Sequence, residues 1–240
     1  MDFDFNKGHI IITGGTGALG TAVTAALLEA GAKCSIPSHS SLNTHDFKYA
    51  EHENCFLQPE VDLTDENDTQ QFFAQAISEQ GPLWASIHTA GGFGTGTIED
   101  ADAAAFMHQF KLNTLSCYNS CRAAIQWMRK SDYNTGRIVN VAARPALEPR
   151  QGKNMSAYAV SKAGVLALTQ SLAEEVANDS ILVNAIAPSI FDTPQNRASM
   201  PDADFDQWQK PEQVARQILH LASPANEVVS GAVVPVYGIK

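Results

Sequence analysis

The segment HIIITGGTGALGTAVTAALLEAG, residues 9–31, decides the fold class. Ile10, Ile11 and Ile12 make a β-branched run suited to a strand covered on both faces. A turn containing Gly14, Gly15 and Gly17 follows. Leu19, Ala22, Val23, Ala26 and Leu27 then recur at three-and-four spacing up to Gly31, the pattern of an amphipathic helix and its stop. A strand, a glycine turn and a helix in that order let the backbone come close to a pyrophosphate, with the unpaired N–H groups of the helix start facing it. The same residues also suit an ordinary tight turn, so the rest of the chain has to separate the two readings.

Working outward, short apolar strands are expected at 33–37, 55–59, 83–90, 137–143, 181–187 and 232–237. Helical patterns lie between them. One covers 64–81, with Thr64 as its N-cap and Gly81 as its stop, and two longer ones run around 99–130 and 155–178. This alternation predicts βαβ units on a mostly parallel seven-stranded sheet flanked by helices. The fold class is therefore α/β, a single doubly wound Rossmann domain over residues 1–240. No internal repeat or low-complexity linker interrupts it. Residues 189–211 form the one long stretch without a clear period, and a long loop in a compact domain is often functional.

Composition narrows the partners. The formal net charge is −10 and no basic stripe is visible, which argues against a nucleic-acid partner. No apolar run approaches the length of a membrane span, and the N-terminus shows no signal-peptide pattern. The four cysteines, Cys34, Cys55, Cys117 and Cys121, have no zinc-type spacing with nearby histidines. Cys117 and Cys121 are read as half-buried apolar helix neighbours, and no metal is expected. A soluble cytoplasmic protein fits these features.

Chemistry concentrates in IVNVAARPALEPRQGKNMSAYAVSK, residues 138–162. Tyr158 and Lys162 are i and i+4 on a predicted helix and so share a face. A free phenol, with a pKa near 10, is a poor acid–base group at neutral pH, and a neighbouring ammonium is expected to lower it. After the second strand, the position where an acid would pair with a ribose 2′-hydroxyl is Ser38, followed by His39, Ser40 and Ser41. The missing acid leans toward NADP over NAD, although no Arg or Lys is there to hold a phosphate. These residues also read as a plain polar loop.

Taken in order, these motifs resemble the short-chain dehydrogenase/reductase family over essentially the whole chain. The family's glycine turn appears as Thr13-Gly14-Gly15-Thr16-Gly17-Ala18-Leu19-Gly20, with Ala18 where the middle glycine is usual. The turn after the fourth strand is His88-Thr89-Ala90-Gly91, which keeps the final Ala-Gly and changes both asparagines before it. The resemblance assigns Tyr158 as proton donor, Lys162 as holder of the nicotinamide ribose and Asn113 as holder of a water on the proton path. It places Gly14, Thr16, Gly17, Leu19 and Gly20 against the cofactor's pyrophosphate. Ser38, His39, Asp62 and Leu63 are expected near its adenosine end, and Ala90, Gly91, Pro188, Ile190 and Thr193 near the nicotinamide.

One group is missing from that pattern. The family's serine at the end of the fifth strand aligns with Ala143, and alanine donates no hydrogen bond. Loss of one oxyanion donor typically costs about 10²–10³ in rate, whereas general acid catalysis contributes about 10²–10⁴ and would remain. Arg144 beside the gap is a candidate donor or a solvent-facing arginine, and Phe93 is expected beside the substrate. Residues 189–211 stand where the family has its substrate lid. There Asp192, Asp202, Asp204, Asp206, Phe205 and Trp208 suit either selection of a polar ring or a solvated flap.

The expected function is NAD(P)-dependent hydride transfer to or from a small carbonyl, imine or quinonoid substrate. The alternatives are a dihydropteridine-reductase-like enzyme and a non-catalytic nucleotide-binding sensor or partner protein. Resemblance also implies a homodimer or homotetramer assembled through the two long helices.

Overall fold

The computed structural model describes residues 4–5, 8–41 and 47–238. The remaining N-terminal residues, residues 42–46 of the polar loop after the second strand, and the last two residues lie outside that description, and with them part of the signal-peptide reading.

Seven strands form one sheet: β1 (His9–Thr13), β2 (Lys33–Pro37), β3 (Cys55–Gln58), β4 (Leu83–His88), β5 (Gly136–Val141), β6 (Ile181–Pro188) and β7 (Val233–Val236). Their order is β3-β2-β1-β4-β5-β6-β7. Every pairing is parallel, so the mostly parallel sheet expected from the sequence is wholly parallel. The order reverses between β1 and β4, which opens a crevice beyond the carboxyl ends of those two strands.

Strand period explains the two cores. Ile10 and Ile12 of β1 point to one face, with Ala85, Ile87, Val139 and Ile186 of the neighbouring strands. Ile11 points to the other face, with Ile138 and Val183. Helices α1 (Ala18–Glu29) and α8 (Pro211–Ala222) cover the first face. Helices α2 (Glu66–Gln80), α4 (Ser116–Met128) and α6 (Ser156–Glu175) cover the second.

Several boundaries differ from the sequence expectation. The N-cap of α2 is Asp65, whose carboxylate accepts from the amides of Asn67 and Asp68; Thr64 lies before it. The helix expected around 99–130 is α3 (Ala103–Phe110), a π-helical turn at Lys111–Leu115, and α4. The long stretch at 189–211 contains a short helix, α7 (Pro194–Ser199), and a 3₁₀ turn at Phe205–Gln207. The loop before α6 is filled by α5 (Arg144–Leu147) and a 3₁₀ turn at Pro149–Gly152. Cys117 and Cys121 are fully buried, because α4 packs that face on the sheet. No helix among the described residues is long and apolar enough to cross a membrane.

His9 is a buried polar group at the amino end of β1. Its Nδ1 faces the Gly81 carbonyl at 2.8 Å and its Nε2 faces Ser35 Oγ at 2.8 Å. Burial pulls its pKa down to about 4. The folded imidazole therefore stays neutral while an unfolded one takes up a proton below about pH 6.5. Stability is unaffected by this group above pH 6.5 and falls by about 1.4 kcal/mol per pH unit between there and pH 4. Urea unfolding at pH 7 and pH 5 is expected to show this loss in the native protein and a smaller one in His9→Asn. Equal losses in both proteins would remove His9 as the cause.

Candidate active site

The glycine turn after β1 is held against the turn after β4. Thr89 N donates to Thr13 O at 3.0 Å, and Thr89 Oγ1 donates to the same oxygen at 2.7 Å. Gly14 has φ +68°, and a Cβ there would lie 2.6 Å from Ala90 N, so only glycine fits. A Cβ on Gly20 would lie 2.1 Å from Gly14 O, which places the first turn of α1 directly on the loop. Helix α1 begins at Gly17 with no side-chain cap, leaving its first N–H groups to an external acceptor. Ala18, where the family pattern has glycine, is the exposed first residue of that helix and meets no obstruction. Leu19 is buried and Thr16 half-buried at the rim. The side-chain-free turn and the uncapped helix start together fit a dinucleotide's pyrophosphate.

Beyond Ala90, two polar side chains meet at Gly91. A Cβ on Gly91 would sit 2.5 Å from Asn113 Oδ1 and 3.1 Å from Lys162 Nζ. Asn113 lies on the π-helical turn and is fully buried. Its Oδ1 accepts from Gly92 N at 3.0 Å, and its Nδ2 faces Gly92 O, Gln109 Oε1 and Ser161 Oγ at 3.0–3.2 Å. Ser161 Oγ also donates to Tyr158 O at 2.7 Å, so Asn113 is tied to the first turn of α6. Lys162 Nζ donates to Val141 O at 2.8 Å.

The electrostatics differ from the sequence expectation. Burial pushes the Tyr158 phenol up to about 12; the expected lowering by Lys162 is not present. Burial also pulls Lys162 down to about 8. Taking charge out of water outweighs the attraction between neighbours here. At neutral pH the phenol holds its proton and the ammonium keeps its charge.

An aromatic ring packs against Tyr158. Phe93 stands edge-on to the Tyr158 ring at a centroid distance of 5.0 Å and is 62% exposed. Ala143, buried and extended at the start of α5, offers a methyl group. Arg144 is not the free donor considered from the sequence. Its Nε donates to Glu148 Oε2 at 2.9 Å, and its guanidinium lies over the Tyr237 ring at 4.7 Å.

Among the residues expected near the adenosine, Ser38 is buried with its main chain bonded to Gln58 and Val61, while His39 is exposed. Asp62 Oδ1 accepts from both the amide and the hydroxyl of Thr64 at 2.8 Å, and the Leu63 carbonyl accepts from Asn119. Along the far rim, Pro188 ends β6, Ile190 is 40% exposed, and Thr193 caps α7 by accepting from Asn196 N.

Residues 189–211 form a flap held by its own contacts. Arg197 grips Asp192 with two hydrogen bonds of 2.6 and 2.9 Å, and this holds the Asp192 carboxyl below the usual carboxylate range. The same guanidinium lies over Phe205 at 4.7 Å, and Phe205 packs on Trp208 at 4.8 Å. Asp204 caps the following turn, whereas Asp202 and Asp206 are exposed. Gln209, buried beneath the flap, accepts from Ser189 N and donates to Tyr237 O. Sequence reading missed Gln109, one helical turn before Asn113, and Ser161, Gln209 and Tyr237, whose roles depend on contacts distant in the chain.

The family model for the short chain dehydrogenases matches residues 8–204. Galactitol 2-dehydrogenase of Rhizobium johnstonii is 29% identical over 249 residues, covering 98% of this chain and 95% of that protein. A 3-oxoacyl-acyl-carrier-protein reductase of Thermotoga maritima is 28% identical over 243 residues, covering 95% of each. The structure of a short-chain type dehydrogenase/reductase from Mycobacterium ulcerans superposes with a TM-score of 0.86 at 25% identity, over 98% of this chain and 90% of that one.

The flap contacts carry a prediction. Arg197→Ala removes both the pairing with Asp192 and the contact with Phe205, so limited proteolysis should cut within 189–211 several-fold faster than in the native chain, with the sheet left intact. An unchanged cleavage rate would show that other contacts hold the flap.

Proposed function

The chain belongs to the short-chain dehydrogenase/reductase family and is an NAD(P)-dependent oxidoreductase, and on that premise we propose that it is an NADP-preferring reductase of a small carbonyl, imine or quinonoid compound with Tyr158 as its proton donor. The observation that carries this reading is the convergence of Asn113 and Lys162 on Gly91, with Tyr158 one helical turn before Lys162.

The nicotinamide, when bound, supplies or accepts the hydride. Gly14, Gly20 and the uncapped start of α1, with Thr16, Gly17 and Leu19, would hold the pyrophosphate. Ala90, Gly91, Pro188, Ile190 and Thr193 would serve the nicotinamide end, with Lys162 for its ribose. Asp62 and Leu63 would serve the adenosine end. A serine at position 38 in place of an acid removes the charge that would repel a 2′-phosphate and supports NADP over NAD.

Tyr158 donates its proton as the substrate oxygen or nitrogen gains charge. A phenol held at about 12 is fully loaded at neutral pH, which suits the reductive direction. Asn113, through Ser161, fixes the turn of α6 that aims Tyr158. Phe93 and Ala143 line the substrate side, and Arg144, braced by Glu148 and Tyr237, forms the base of that wall. With no hydroxyl at 143, a conjugated or quinonoid acceptor is handled best, because its reduced product spreads charge without a second donor.

The exposed apolar residues Phe106, Met107, Phe110, Tyr118 and Val160 on α3, the π turn's flanks and α6 support assembly into a homodimer or homotetramer. Lack of a membrane-crossing helix among the described residues, together with four free cysteines, supports a cytoplasmic setting.

The test is NADPH consumption over a panel of ketones, imines and quinonoid dihydropterins, with NADH in parallel. Tyr158→Phe should lower turnover by about 10²-fold or more. Ala143→Ser should raise ketone reduction by about 10-fold or more and leave quinonoid substrates nearly unchanged. Full turnover in Tyr158→Phe would refute the proton assignment, and silence across the panel would refute the enzymatic reading of this pocket. In a pH series, kcat/KM for reduction should fall as pH rises through about 8, where Lys162 loses its proton, and not near 12. A flat profile to pH 10 would take Lys162's charge out of the rate.

A further inference from the structure

Behind the Ala90–Gly91 turn, four donor atoms from three elements meet in the interior. They are His88 Nδ1 at the end of β4, Asn140 Oδ1 on β5, and the thiol sulfurs of Cys117 and Cys121 one turn apart on α4. His88 is 2% exposed, Asn140 0%, Cys117 5% and Cys121 1%. Asn140 Oδ1 lies 2.8 Å from His88 Nδ1, 3.3 Å from Cys117 Sγ and 3.5 Å from Cys121 Sγ, and Cys121 Sγ lies 3.4 Å from His88 Nδ1. Among the described residues, His88, Cys117 and Cys121 are the one group of three such side chains whose ligand atoms all fall within 4.8 Å.

We propose that these four atoms form a closed, structural site for zinc, with His88 Nδ1, two thiolates and the Asn140 amide oxygen as its ligands. Hydrogen-bond supply is the first reason. An amide oxygen has two lone pairs, yet an imidazole N–H and two thiol S–H groups all converge on this one. Replacing those three protons by a single cation turns a donor-rich cluster into four lone pairs facing one centre.

Geometry is the second reason. Tetrahedral zinc with bonds of about 2.0–2.3 Å sets its ligands about 3.3–3.8 Å apart. Three of the separations, at 3.3–3.5 Å, already fall in that range, the His88–Asn140 edge at 2.8 Å has to open, and the two edges from Cys117 to His88 and Cys121 are within 4.8 Å.

The surrounding contacts are the third reason. His88 Nε2 is 2.8 Å from Ser86 Oγ, so a ligating Nδ1 leaves an Nε2–H to donate to that hydroxyl. Asn140 Nδ2 donates to Thr169 Oγ1 at 2.9 Å, which fixes the amide with its oxygen toward the cluster. Two thiol protons leave to solvent as the metal enters, and the His88 proton moves from Nδ1 to Nε2. The two thiolates balance the dication, so the buried site carries no net charge. Soft sulfur donors favour zinc over magnesium or calcium. With all four positions filled by protein, the metal has no open coordination site and acts as a clasp joining β4, β5 and α4 below the nicotinamide turn. Sequence spacing hides this set, because the histidine lies on a strand far along the chain from the two cysteines.

The test is metal analysis of the whole protein, expressed with zinc in the medium and purified without chelator. A single zinc per chain is expected, lost in Cys117→Ser and Cys121→Ser and kept in Cys34→Ser, whose thiol belongs to the opposite core. Should the cysteine variants fail to fold, the native chain decides the matter. After unfolding and refolding with cobalt(II) alone it should show thiolate-to-cobalt charge transfer and the strong visible bands of a tetrahedral site. Native protein that holds no zinc and gives no cobalt–thiolate spectrum would overturn the proposal.

Discussion

The two loops at the switch point of the sheet touch backbone to backbone, and much else depends on that contact. Gly14 can approach Ala90 only because neither a Cβ nor an ordinary negative φ is demanded of it. With Thr13 and Thr89 bonded across the same gap, the ends of β1 and β4 are fixed relative to each other. Helix α1 then leaves the sheet at the angle that directs its free N–H groups into the crevice. Gly91 and the Asn113–Lys162 pair follow one residue further on. The cradle for the cofactor and the cluster of polar groups are thus consequences of one steric condition at a single place.

Burial sets the protonation states inside that frame. A sequence shows that Tyr158 and Lys162 are neighbours and suggests that a cation should acidify a phenol. In the folded chain both groups lose water, and that loss moves each toward its neutral form: the phenol up, the ammonium down. The outcome is a loaded acid beside a lysine that titrates near neutrality. Packing thus holds the phenol's proton more firmly than water would, without any change of residue type.

What was legible in the sequence divides along physical lines. The β1 turn was readable because glycine, β-branched residues and helical spacing each dictate their local geometry. The shared helix face of Tyr158 and Lys162 followed from spacing, and the parallel sheet from alternation and resemblance. The π turn carrying Asn113 was not readable, since KLNTL has no residue that breaks an α-helix. Arg144 was misjudged because Tyr237, which lies under its guanidinium, is distant in the chain. His88 meets Cys117, Cys121 and Asn140 only after β4, α4 and β5 have packed, and no spacing rule spans that separation. Thr64 lost the cap of α2 to its neighbour Asp65, a one-residue choice between two good capping side chains.

The π turn at Lys111–Leu115 also constrains how this chain can change. An α-helix advances 3.6 residues per turn, so the wide turn amounts to an extra residue accommodated in mid-helix. Shortening it by one residue would regularise the backbone hydrogen bonds, yet it would rotate one half of the helix against the other by about 100°. Asn113 and Asn119 would then no longer both face inward, toward Gly92 and the Leu63 carbonyl respectively. The route to a more regular helix therefore passes through loss of one of these two anchorages. Insertions and deletions in this segment are filtered by angular phase, whereas point substitutions on its solvent side are not.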